Sequence, residues 1–356
     1  MSLESLSLTH FRNISQAQLA LSPHLTLLVG ANGQGKTNIL ESVYLLLQGR
    51  DFRTTTEREA IQQGAEFAAL DGVGELLGRS QRWQHRIPMH ASRRVHTGPI
   101  APVVLFAPDD VYLAKGSPER RRRFLDLLLG AHDARYARSL RAYHRTVLQR
   151  NRALKEAAFH QVVEDFTPLL VRDGLYLWSR RRETLDSLRP RAQAIHAQIA
   201  PGEELAFHLD YGGTPHDIHD EVRYSAEIER RRPEERQRLA TLVGPHRDDI
   251  VMTINGLDTQ RYASQGQLRT LALSLKLATY EWLHQETGIR PVILLDDVLS
   301  ELDERRRQAI LKTVAEPGQQ TIVTDTEPRS YQELEPHILS VRAGEVGPWN
   351  SLKNPG

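Results

Sequence analysis

The chain contains no cysteine. That excludes disulfides and zinc–thiolate centres, and it suits a reducing, cytoplasmic compartment. Long apolar runs are missing too. No stretch reaches the roughly 18 consecutive apolar residues of a membrane span, so no membrane contact is expected. The opening residues, Met1-Ser-Leu-Glu-Ser-Leu-Ser-Leu-Thr-His10, have no basic segment ahead of an apolar core, so no export signal is expected either. Neither sign of charge dominates, with 46 basic and 45 acidic side chains in 356 residues. Any contact with nucleic acid must therefore come from a local patch. Internal repeats and low-complexity tracts are absent, and the length allows one large domain or two modest ones.

What is present begins with Gly30-Ala-Asn-Gly-Gln-Gly-Lys-Thr37, which has the spacing of a phosphate-binding loop, G-x-x-x-x-G-K-[ST]. A strand-like run, Leu25–Val29, precedes it, and an apolar helical segment from Asn38 follows. Gly30, Gly33 and Gly35 are expected to use backbone conformations closed to other residues, so that the N–H groups of Ala31, Asn32 and Gln34 can turn toward phosphate oxygens. The following helix adds its N-terminal partial charge. Lys36 is expected to reach the β- and γ-phosphates of ATP, and Thr37 to ligate Mg²⁺.

Further along, Val73–Leu77, Trp83–Met89 and Val103–Phe106 read as short strands. Ser117 and Pro118 open a helix that Gly130 is expected to end, and Asp133 caps the next, which runs to about residue 158. A third helix is expected from Pro168 to about Ala200. Helices of that length exceed the needs of a compact α/β core, so 118–240 is expected to form a mostly helical arm inserted into a head made of 1–117 and 241–356.

Pro291-Val-Ile-Leu-Leu-Asp296 reads as a buried strand ending in an acid, the position of the magnesium-holding carboxylate in P-loop ATPases. Asp297 follows, placed to polarise an attacking water. Before this strand stands Ser264-Gln-Gly-Gln-Leu-Arg269, and after it Leu299-Ser-Glu-Leu-Asp303. These resemble the signature and D-loop of ABC-class ATPases. The Ser264 hydroxyl and Gly266 N–H can donate to phosphate oxygens at the start of a helix.

Together with Leu8-Thr-His-Phe-Arg-Asn13, Gly244-Pro-His-Arg-Asp248 and the Arg121–Asp126 stretch, these motifs resemble the RecF family, ATPases related to the SMC proteins. The likeness spans nearly the whole chain. It implies an α/β, ABC/SMC-like P-loop ATPase head with a short helical arm, and an ATP-dependent homodimer that clamps double-stranded and gap or junction DNA. It also implies slow ATP hydrolysis and work with RecR and RecO to load RecA in DNA repair. By the same likeness, Ser264, Gln265, Gly266 and Gln267 cap ATP held by the partner subunit, and Ser300 and Asp303 form the D-loop. Arg12 and Asn13 match positions that touch nucleotide, and Asp297 replaces the longer glutamate usual in ABC ATPases. No histidine follows the strand near Thr324-Asp-Thr326 where that class carries one, and Phe106–Asp110 stands where a Q-loop glutamine belongs.

Arginines cluster at 79, 82, 86, 93 and 94, and again at 120–123, 135, 138, 141, 145, 150 and 152, with few acids in the second group. They are candidates for phosphate contacts, against the alternative of solvated or paired helix faces. His246, beside Asp248 and Asp249, reads as structural, because no second histidine stands at ligand spacing. Two other readings stay open here: the ATPase subunit of a membrane transporter, and a P-loop kinase.

Overall fold

The protein is described from a computed structural model over residues 1–52, 56–90, 95–215, 218–299, 302–314, 316–328, 331 and 334–349. It forms two compact units, residues 1–110 with 276–356 and residues 111–275.

The first unit opens with β1 (Ser2–Phe11), β2 (Ile14–Ala20) and β3 (Leu25–Val29), then α1 (Lys36–Gln48). β4 (Phe67–Leu76), β5 (Arg79–Pro88), β6 (Val95–Thr97) and β7 (Val103–Phe106) follow. After the second unit come β11 (Val292–Asp296), α9 (Glu304–Val314), β12 (Thr321–Asp325), β13 (His337–Arg342) and β14 (Glu345–Pro348). Two sheets result, an antiparallel one ordered β2-β1-β4-β5-β6 and one ordered β14-β13-β3-β12-β11-β7. In the latter β13, β3, β12, β11 and β7 are parallel. Its central strands, LTLLV, TIVTD and VILLD, are almost continuously apolar, as parallel strands covered on both faces must be. Gln320 ties the two sheets together. Its side chain accepts from Leu3 N at 2.7 Å and donates to Leu3 O and Ser22 O at 2.8 Å each.

The second unit contains α2 (Val111–Lys115), α3 (Pro118–His132), α4 (Ala134–Lys155) and α5 (Thr167–Ile199). β8 (Leu205–Asp210), α6 (Glu221–Arg238), β9 (Asp249–Ile254), β10 (Leu257–Asp258), α7 (Thr259–Tyr262) and most of α8 (Gln265–Thr287) complete it. The two units meet along the chain at 110/111 and 275/276. Residues 249–258 fall in this unit with β8, because β9 pairs with β8 from residue 205 onward. α3 runs through Gly130 to His132, and it ends at Asp133, whose carboxylate accepts from Tyr136 N to start α4.

Polar groups are paired deep in this unit. Arg181 donates to Asp248, Asp126 and Pro245 O at 2.7–2.8 Å, and Trp178 Nε1 donates to Asp248 at 2.9 Å. Burial pushes the Asp248 carboxyl up to about 7 against the pull of Arg181. His246 Nδ1 lies 2.7 Å from the Tyr143 hydroxyl and its Nε2 lies 3.0 Å from Thr241 O, so Nε2–H donates and Nδ1 accepts. Burial lowers its pKa to about 4, which keeps the ring neutral.

Candidate nucleotide-binding site

β3 delivers Gly30–Thr37 to the carboxyl edge of the parallel sheet, and α1 starts at Lys36. Gly33 and Gly35 hold φ of 79° and 111°, as the motif requires. Gly30 does not enter the left-handed region. It is needed for close approach, since a Cβ there would lie 2.2 Å from Val341 O. The turn between β13 and β14 braces the loop, with Ala343 N donating to Gln34 Oε1 at 2.6 Å and Gly344 N donating to Gln34 O at 2.9 Å. That brace was not legible in the sequence, because 309 positions separate its halves and no local pattern marks it.

Lys36 Nζ donates to Gly30 O at 2.5 Å and Ala31 O at 3.0 Å, so the ammonium lies under the loop. Burial lowers its pKa, while Asp297, Asp296 and Asp325 pull it back up. Thr37 Oγ1 donates to Asp296 Oδ1 at 2.8 Å, across 259 positions of sequence. Hydroxyl and carboxylate form an all-oxygen donor set, which suits Mg²⁺. Asp297 is adjacent, with φ of 52°. The structure thus brings together Lys36, Thr37, Asp296 and Asp297. Asn13 joins them, donating to Gln34 O at 3.2 Å and accepting from Asn38 at 2.8 Å. Arg12 turns elsewhere: its guanidinium donates to Glu41 at 2.5 Å and to Glu59 O at 2.8 Å.

At the end of β12, Asp325 stands where the sequence has no histidine. Its carboxylate accepts from Thr326 N at 2.6 Å and from the buried Tyr331 hydroxyl at 3.0 Å. In the Q-loop region, Asp110 accepts from Ala107 N at 2.8 Å and pairs with Lys276 at 2.9 Å. Burial raises the Asp110 pKa, opposed by Lys276.

The signature-like loop lies in the second unit. Ser264 Oγ accepts from Gln267 N at 3.3 Å, and Gln267 Oε1 accepts from Ser264 N at 2.9 Å. This is a capping box, so Ser264 is the N-cap of α8, and its hydroxyl hydrogen is not used in that bond. Gln267 Nε2 also donates to Glu203 Oε1 at 3.3 Å, while Glu203 Oε2 lies 3.2 Å from His196 Nε2. Gln265 and Gly266 form the first turn of α8. Asp303 caps α9 by accepting from Arg306 N at 3.0 Å. Ser300 lies outside the described residues.

The AAA ATPase domain family matches residues 1–71. The "DNA replication and repair protein RecF" of Symbiobacterium thermophilum is 40% identical, over 97% of this chain and 98% of that one. Its counterpart in Pelotomaculum thermopropionicum is 36% identical, over 97% and 100%. This chain belongs to the RecF family. A solved structure of the recombination mediator protein RecF with ATP, in the RecFOR pathway, is 30% identical and superposes with a TM-score of 0.86 over 97% of this chain and 96% of that one. An Smc head is 15% identical with a TM-score of 0.55, over 97% and 96%, a likeness of fold. The RecF-family fold here is accordingly an α/β P-loop ATPase of SMC-like type.

The arginines of this RecF-family chain separate into two groups. Arg121 and Arg150 are buried and used internally, Arg121 in a fork to Asp249 at 2.6 and 2.8 Å and Arg150 against Glu235 at 2.5 Å. Arg122 donates to Asp248 O at 2.5 Å. Arg121 and Arg150 are removed from the nucleic-acid candidates, because burial and pairing leave no charge to offer, whereas Arg122 is half-buried and donates to a backbone carbonyl. Arg82 pairs with Asp71, Arg86 lies over Phe67 and Arg135 over Tyr176. Arg93 and Arg94 lie outside the described residues. Arg138, Arg141, Arg145, Arg152 and Lys155 remain exposed along α4, which contains no acid. No ion pair among the described residues uses them. No cluster of three or more metal-ligating side chains occurs among the described residues.

Proposed function

We propose that this chain is an ATP-switched clamp on double-stranded DNA, including gaps and junctions, acting in DNA repair and replication. Two copies close on ATP, each holding a nucleotide on Gly30–Thr37 and capping its partner's with Ser264–Gln267. Residues 1–117 and 241–356 serve as the head, and the mostly helical segment 118–240 serves as the arm. The observation that carries the reading is the Thr37–Asp296 hydrogen bond of 2.8 Å, which assembles a Walker pair in a chain that also has a capped signature loop. A kinase has no use for the second anion site, and the arm and the relatives' names speak against a transporter subunit.

Lys36 would hold the phosphates, Thr37 and Asp296 the Mg²⁺, and Asp297 the water. Bound Mg²⁺ would neutralise charge on the β- and γ-phosphates. Asp297 is one methylene shorter than glutamate, so turnover is slow. Loss of the γ-phosphate removes what the two copies share and opens the clamp. RecR and RecO are the proposed partners, in loading RecA at gaps and stalled forks.

The test is the mass in solution by light scattering with ATP-Mg²⁺, ADP or no nucleotide. A dimer is expected only with ATP, and Lys36→Ala should abolish it. A wild-type monomer throughout, or a Lys36→Ala dimer with ATP, would break the scheme.

A further inference from the structure

One buried hydroxyl at the sheet edge makes contacts that phosphate binding does not explain. Thr324 is almost wholly buried in β12, at 1% exposure. In register it lies between Leu28 on β3 and Asp296 on β11, that is, between the strand feeding the phosphate loop and the strand ending in the acid pair. Its Oγ1 donates to Asp296 Oδ1 at 3.0 Å and accepts from Asp297 N at 2.9 Å. A hydroxyl has one hydrogen; Asp296 Oδ1 is its nearer acceptor, with Leu295 O farther at 3.4 Å, and the oxygen accepts from the next residue, Asp297.

Two consequences follow. Asp296 Oδ1 receives hydroxyls from Thr37 and Thr324, which orients the carboxyl plane and leaves Oδ2 out of both bonds. Asp297 sits at φ 52°, a region sparsely used by residues with a Cβ, and such a conformation persists only where neighbours hold it. The bond from its N–H to Thr324 is such a hold, and the backbone there sets where its carboxylate points.

We infer that Thr324 is a positioning residue for ATP hydrolysis, its hydroxyl aiming the metal-side acid and the water-side acid together. The inference rests on the roles proposed for Asp296 and Asp297. It assigns no contact with ATP to Thr324.

The experiment compares wild type, Thr324→Val and Thr324→Ser in ATP affinity, single-turnover hydrolysis and the Mg²⁺ concentration for half-maximal rate. Valine keeps the buried shape and removes both bonds, while serine keeps the hydroxyl. Thr324→Val is expected to hydrolyse about 10- to 100-fold more slowly, the effect of losing one or two hydrogen bonds to charged or backbone groups. It should need more Mg²⁺ and bind ATP within about 2-fold of wild type, and serine should restore most of the rate. Thr324→Cys replaces valine if the latter does not fold. Wild-type rate and Mg²⁺ requirement in a folded Thr324→Val or Thr324→Cys protein would overturn the inference, as would a serine variant as slow as valine. A wild-type protein without ATPase activity would instead sink the functional reading beneath it.

Discussion

If α4 tracks a DNA backbone, removing its exposed charges must change how binding depends on salt. Arg138, Arg141, Arg145, Arg152 and Lys155 recur at spacings of three, four, seven and three residues, which keeps them on one face. At about 1.5 Å per residue the stripe is about 26 Å long, shorter than the roughly 34 Å of one duplex turn. The triple substitution of Arg138, Arg141 and Arg145 by Gln changes exposed positions only, and Gln propagates a helix nearly as well as Arg. If each arginine neutralises one phosphate, the slope of log K against log salt should become shallower by about 2.7, at about 0.9 per contact. The affinity gap between wild type and variant should then narrow about 40-fold from roughly 50 to 200 mM salt. Fluorescence anisotropy of a labelled duplex with ATP, at several salt concentrations, reads this directly. A variant with the wild-type slope would refute the assignment, whatever its affinity at one salt concentration.

Other outcomes are open to measurement. Ser264→Arg should bind ATP normally yet fail to dimerise with it, and a nucleotide-dependent dimer of this variant would detach the loop from the trans site. Asp297→Asn should give an ATP dimer that outlives the wild-type one in chase experiments. Gly30→Ala should lower the unfolding temperature more than Gly33→Ala, because its Cβ meets Val341 O at 2.2 Å while that of Gly33 meets nothing within 4 Å. Below about pH 6.5 the unfolded chain protonates His246, whereas the folded chain does so only near 4, so stability present above 6.5 is lost as pH falls between those values. Relative to His246→Gln, wild type should lose about 3 kcal/mol across that window in chemical denaturation. An identical pH profile for the two proteins would contradict a buried, neutral His246.

The local chemistry was readable from residues alone. A glycine-rich loop between an apolar strand and a helix, and an apolar strand ending in two acids, each need only neighbouring residues to declare themselves. The parallel strands were legible because burial on both faces makes them continuously apolar. What lay beyond the sequence depends on pairing across long separations. Which arginines are spent inside the second unit follows from acids 85 and 128 positions away, at Glu235 and Asp249. The second unit takes in residues 249–254 because β9 pairs with β8, and strand pairing leaves no local mark in the sequence. Gly30 is required by a carbonyl from β13, and the acid pair is tied by a threonine from β12. The sequence determined which groups are candidates for the chemistry; the tertiary structure decided which charges remain free for a partner and what holds the two candidate acids in place, because hydrogen bonds and burial depend on distance in space and not along the chain.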